Sequence, residues 1–219
     1  MKNGPRLSAW LLSAALAVSP VAAGIGVNVD VLWNPNPKDD AQVFLHLSNV
    51  VYQVPREDGE GLAKFFHQIP NPYETYPTLA FIAHYGHVSI GTVWEYKQRG
   101  HEWYNVMMHF GVQPNVLFFE VPQQPARPYG KAYGYWKKHG NKLKPDMISN
   151  DDVRYWVSLR TVTMASGVTP GEAVKWHQSG KRFEQLAGIK YREKHGSGPE
   201  LQEAGFGPGK GKGKGKGGN

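Results

Sequence analysis

Between Arg127 and Lys144 the chain carries six cations, Arg127, Lys131, Lys137, Lys138, Lys142 and Lys144, with no acidic residue among them. Tyr129, Tyr133, Tyr135 and Trp136 are interleaved with those cations. Ammonium and guanidinium groups attract phosphate, sulfate or carboxylate, and aromatic faces stack on sugars or bases. The chemistry expected here is binding of an anionic polymer. The competing reading of the same pattern is that the rings tuck into a core while the lysines stay in water. Four further cations, Lys210, Lys212, Lys214 and Lys216, alternate with glycine near the C-terminus. The stretch 196–219 has too few apolar groups to offset its own ordering entropy, so a disordered tail is expected. Such a tail can tether a domain to anionic polymers or lipid headgroups through contacts that weaken with salt.

Catalytic chemistry finds little footing. The chain has no cysteine, which excludes a thiolate nucleophile and a cysteine-ligated cluster. No serine stands in a G-x-S-x-G elbow, and no glycine-rich loop precedes Lys-Ser/Thr. His101-Glu102 opens like the zinc motif HExxH, but Asn105 stands where the second histidine must be. His84 and His87 are close in sequence, yet solvated or hydrogen-bonded histidines are the ordinary case, and neither a metal nor another cofactor is expected. The acidic pairs Asp39-Asp40 and Asp151-Asp152 each precede a helical pattern, where carboxylates cap N–H groups and oppose the helix dipole. An envelope hydrolase is the alternative class, and it requires groups such as His84, His101 and Glu102 to converge in a deep pocket. A third class is a helix-turn-helix over 102–120, but its second element offers Asn115 and Glu120 and no Arg, Lys or Gln to read base edges.

The N-terminus sets the expected compartment. Lys2 and Arg6 precede an uncharged run, LSAWLLSAALAV, then Ser19-Pro20 and the small residues Val21-Ala22-Ala23. This is the order of a secretory signal peptide over 1–23, cut after Ala23. The apolar run of about 12 residues falls short of the roughly 20 that span a bilayer, so no transmembrane span is expected after cleavage. The mature protein is therefore expected in the periplasm or outside the cell, where chromosomal DNA is not a partner. Of the formal net charge of +7, Lys2 and Arg6 and the four tail lysines supply most, so the body of the fold is near neutral.

The elements that must position these residues read as mainly α. A short strand is expected over 27–33, where Val27, Val29, Val31 and Trp33 alternate with Asn28 and Asp30. Val43, Phe44, Leu47, Val50, Val51 and Val54 make one apolar helical stripe before Pro55. A short helix is expected after Gly61, with Leu62, Phe65, Phe66 and Ile69 on one face. A third helix runs over about 74–85, with Pro77 in its first turn. Two more helices are expected over 89–99 and 101–110, each closed by glycine. The segment 114–121 reads as a strand or a short helix. A helix over 151–165 carries Val153, Trp156, Val157 and Met164 on its apolar face.

A layout returns 80 residues on. Val88-Ser89 matches Val168-Thr169, Gly91 matches Gly171, Tyr96 matches Trp176, Gln98 and Gly100 match Gln178 and Gly180, and Trp103 matches Phe183. This predicts two related three-helix units, about 73–111 and 151–191, within one domain over 24–195. That unit, with the Pro128-Tyr129-Gly130-Lys131-Ala132-Tyr133-Gly134-Tyr135-Trp136 segment, resembles a group of exported bacterial proteins of unassigned function over roughly residues 40–190. The resemblance implies a folded family domain and carries no catalytic residue across. The reading as a whole is an exported, non-enzymatic envelope protein with a binding or scaffolding role.

Overall fold

The computed structural model describes residues 32, 37, 39–140 and 142–196. The described residues form ten α-helices and two 3-10 turns, with no strand. The helices are α1 (Asp40–Tyr52), α2 (Arg56–Ala63), α3 (Pro72–Gly86), α4 (Ile90–Lys97), α5 (Trp103–His109), α6 (Pro114–Leu117), α7 (Gly130–His139), α8 (Asn150–Ser166), α9 (Pro170–Gln178) and α10 (Phe183–His195). None is long and apolar enough to cross a membrane. The leader, the Gly-Lys tail and most of the expected strand lie outside the described residues. Leu32, alone of 27–33, is described; it is helical and fully buried.

Local chemistry starts most of these helices. Asp39 Oδ1 accepts the Gln42 N–H at 2.8 Å and opens α1. Ser149 and Asp152 exchange side-chain bonds with each other's backbone in a capping box that opens α8. Asp40 and Asp151 do not cap; they pair with Arg192 and Arg154 respectively. The segment 56–69 departs from expectation. Its helix, α2, runs Arg56–Ala63 and ends just past Gly61 rather than beginning there, because Pro55 supplies the N-cap backbone and Glu57 and Asp58 oppose the dipole in the first turn. Phe66–Gln68 is a 3-10 turn that buries Phe66, while Phe65 stays exposed.

α8 is the centre of the packing, touching α1, α3, α5, α6, α9 and α10. That explains why a single stripe misreads it. Leu159, Thr161 and Val162, off the expected stripe, are fully buried, while Met164 on that stripe is exposed. On α1 the stripe is likewise shifted: Leu45, Ser48, Asn49 and Tyr52 are buried, and Val50 faces out.

The two three-helix units share more than residue types. Ser89 Oγ accepts the Thr92 N–H at 3.1 Å, and Thr169 Oγ1 accepts the Glu172 N–H at 3.3 Å, the same bond 80 positions on. Left-handed residues recur at His87 and Gly167 (φ 53° and 71°) and at Gly100 and Gly180 (φ 87° and 82°). Trp103 and Phe183 each begin the third helix of their unit and are buried. Glu74 on α3 meets Arg154 on α8, its own counterpart, at 4.0 Å. The copies diverge at the end: Gly111, with φ 74°, closes the first, whereas α10 continues through Tyr191 to His195.

Candidate functional site

The basic-aromatic segment forms α7 and its flanks, and its two residue types separate cleanly. Arg127, Lys131, Lys137, Lys138, Lys142 and Lys144 are all exposed. The rings turn inward. Tyr133, only 2 % exposed, stacks on Trp156 at 4.8 Å, and its hydroxyl accepts the Val121 N–H at 3.1 Å. Half-buried Trp136 stacks on Phe118 at 5.5 Å, and Tyr129 stacks on Tyr155 at 4.1 Å. Tyr135 packs beside His139 at 4.3 Å and keeps part of its face open. Tyr133 therefore offers no face to a ligand, a correction to its place among the candidate binding rings. It faces inward because Trp156 and Phe118 complete the core at that spot.

This packing fixes the lysine ridge. Gly130 leaves no room for a Cβ against the Pro125 carbonyl, and Gln124 Nε2 donates to the Gly130 carbonyl at 2.9 Å. None of the ion pairs among the described residues involves Arg127, Lys131, Lys137, Lys138, Lys142 or Lys144. Lys137 lies 6.0 Å from the Tyr133 ring centroid, and none of the six is matched by a described carboxylate. Lys210, Lys212, Lys214 and Lys216 lie outside the described residues.

His84 does not come together with His101 and Glu102. His84 and His87 line a groove of about 480 Å³ with Tyr52, Asp58 and Ser89. His101 belongs elsewhere, stacked on Tyr96 at 4.2 Å, with His109 at 3.9 Å from the same ring. Glu102 is exposed and supplies the N-cap backbone of α5. The helix-turn-helix outline also fails: α6 is four residues long, and Pro114 and Leu117 are buried.

Two adjoining clefts escaped the sequence reading, and the duplication relates them. The larger, about 500 Å³, is lined by Gln68, Pro70, Thr75, Trp94, Lys97, Gln98, Trp103, Asn150 and Arg154. The smaller, about 240 Å³, is lined by residues that include Glu74, Tyr155, His177, Phe183 and Arg154. Thr75 and Tyr155, Lys97 and His177, and Trp103 and Phe183 are counterparts 80 apart, and Arg154 borders both clefts. The second cleft is smaller because Tyr155 replaces Thr75 and carries Tyr129 stacked on it. No sequence motif announces either cleft, since the linings draw on residues from 68 to 184.

Their electrostatics differ. The larger cleft has Lys97 and Arg154 and no carboxylate in its lining. Burial pulls the Lys97 ammonium below its ordinary pKa, against the opposing pull of Glu102. The smaller cleft gathers Glu74, Asp151 and Glu184 with Arg154 and Arg182. Burial pushes the Glu184 carboxyl up, Glu74 and Asp40 add to the rise, and its own backbone N–H and Arg182 oppose it. Burial lowers His177, which favours a neutral ring there.

A raised acid pKa has a definite sign for stability. Ionised Glu184 suits the fold less than it suits the unfolded chain. Its contribution is therefore fullest below the ordinary value of 4.5 and declines as pH rises through the folded value. Glu184→Gln should raise the melting temperature at pH 7 by more than at pH 4. Equal shifts at both pH values would show that the buried charge has no cost.

Compared with known proteins, the chain matches no family model, no characterised sequence and no solved structure.

Proposed function

We propose that this is an exported envelope protein of the kind it resembles, with a binding or scaffolding role, whose folded domain holds anionic polymers against the α7 ridge. The observation that carries this reading is the set of six exposed cations around α7 that have no carboxylate partner among the described residues. Cations held on a packed helix lose less freedom on binding than cations on a free chain, so the ridge is preorganised for a polyanion. The Gly-Lys tail adds four charges, Lys210, Lys212, Lys214 and Lys216. The same chemistry serves anionic lipid headgroups as a second surface.

Retention of the full chain on immobilised polyphosphate tests the reading. Lys131→Glu/Lys137→Glu/Lys138→Glu should elute at clearly lower salt. The slope of log affinity against log salt should fall by roughly 2 to 3 if each lysine meets one phosphate. Replacing Lys210, Lys212, Lys214 and Lys216 with Gln should also lower retention, additively. Unchanged elution of the ridge variant would remove α7 from the binding surface. N-terminal sequencing of the exported protein should begin at Gly24, and recovery with Met1 attached inside the cell would overturn the export reading.

A further inference from the structure

α10 outruns its counterpart in the first unit, and the extra length lines a groove. Gly111 closes the first unit, whereas α10 continues past the equivalent position, Tyr191, to His195. The groove, about 620 Å³, is lined by the last residues of α10, by α1 at Val50 and by the corner at 165–168. Part of its apolar surface is open rather than packed. Val50 is 60 % exposed, and Ala165 and Tyr191 are half-buried. Met164, next to Ala165 in the chain, is 57 % exposed. Open apolar groups gathered at a groove mark a docking surface. The groove's carboxylates are already engaged. Glu193 pairs with Lys190 at 2.7 Å, and Glu172 accepts the Thr169 N–H at 2.9 Å and its hydroxyl at 2.7 Å. Lys194 is exposed, and none of the ion pairs among the described residues involves it. The groove therefore offers apolar surface with an unmatched cation at its α10 edge.

The chain itself supplies a match. His195 lines the groove, and Gly196, at φ 80°, closes α10, so residues 197–219 start at the groove's edge. Apart from glycine and proline, the apolar residues of that stretch are Leu201, Ala204 and Phe206, and its acidic residues are Glu200 and Glu203. All of them fall before Lys210, the first tail lysine. From Gly196 to Phe206 the chain reaches up to about 35 Å, more than a groove of this size requires. A segment tethered this closely meets its site at an effective concentration on the order of millimolar, which a second copy of the chain matches only in concentrated solution. We propose that residues 199–206 dock in this groove, with Leu201 and Phe206 covering Val50 and the Ala165 corner and with Glu200 and Glu203 facing Lys194. The ordering cost that this stretch cannot meet alone is offset by apolar surface that the fold already presents. Docking anchors the root of the Gly-Lys run to the domain, with Lys210 four residues beyond Phe206. The groove is separate from the lysine ridge, and the docking does not depend on it.

Paramagnetic broadening in the full chain tests the docking. The chain has no cysteine, so a nitroxide on the Gly207→Cys thiol labels one position alone. The amide signals of Val50, Ala165 and Lys194 should lose most of their intensity. Adding Leu201→Asp/Phe206→Asp should restore them, and that variant measures the effect of the tether by itself. Lys194→Glu should restore part of the loss, because it sets a carboxylate against Glu200 and Glu203. Circular dichroism should be the same for every variant, since none replaces a buried residue of the described fold. Absence of broadening, or equal broadening with and without Leu201→Asp/Phe206→Asp, would overturn the proposal. Unchanged broadening in Lys194→Glu would overturn the placement of Glu200 and Glu203. A mixture of labelled chain with unlabelled, isotope-enriched chain should show no such loss. Broadening there as strong as within one chain would assign the groove to a second copy instead.

Discussion

Trp156→Ala should destabilise the domain more than any other single truncation, by about 3–5 kcal/mol. Trp156 is fully buried on α8, the helix that touches six others. Its indole stacks on Tyr133 at 4.8 Å and meets Phe118 edge-on at 5.1 Å and Phe119 at 5.6 Å. Tyr133 and Phe118 in turn hold α7, so the cavity would loosen the lysine ridge together with the core. A domain with an ordinary stability of about 5–15 kcal/mol would lose much of it. Urea denaturation followed by circular dichroism should show the midpoint fall sharply. Trp136→Ala, at the half-exposed rim of the same cluster, should cost much less. Comparable losses from the two would mean that Trp156 is not the centre of the packing.

The duplicated unit was legible because backbone geometry writes directly into residue type. A hydroxyl at 89 and 169 and glycine at 100 and 180 each serve one cap or one left-handed turn, and caps are local. The course of α1 was legible through its apolar run, but its facing was not. A stripe centred on Val43, Phe44 and Leu47 gives no hint that Asn49 and Tyr52 are buried, because their partners, Tyr76 and Thr161, lie far along the chain. α2 was missed for the opposite reason. REDGEGLA has two glycines and little apolar content, and it holds as a helix only where Leu62 is drawn into the core. In the basic-aromatic segment the pattern was clear and its orientation was not. Tyr133 and Tyr135 are two apart on a helix, so they face different surroundings, one the core and one the rim.

The clefts lay beyond any local reading. Counterparts in the two copies kept their backbone roles and exchanged their chemistry. His177 stands where the first unit has Lys97, Phe183 where it has Trp103, and Arg154 meets Glu74 at 4.0 Å. One cleft is lined by cations and amides, and the other gathers carboxylates. Divergence of that kind is invisible to a search for motifs, since every position still satisfies the fold. It becomes visible only when counterparts are compared for charge and size.

Asn49→Leu should cost the fold several kcal/mol although it trades a polar core residue for an apolar one of similar size. Asn49 is 5 % exposed and ties three segments together. Its Nδ2 donates to the Leu32 carbonyl at 2.7 Å, and its Oδ1 accepts the Tyr76 hydroxyl. Removing the amide leaves a buried hydroxyl unpaired and takes from the Leu32 carbonyl the one partner described for it, at about 1–3 kcal/mol for each group left unsatisfied. Tyr76 itself is fully buried, and burial already pushes its hydroxyl pKa up, which marks how little water reaches the site. Adding Tyr76→Phe to Asn49→Leu should recover part of the loss, because the orphaned hydroxyl leaves with it. Tyr76→Phe alone should be destabilising. A double-mutant cycle by urea denaturation reads this directly. If the two losses simply add, Asn49 and Tyr76 act independently.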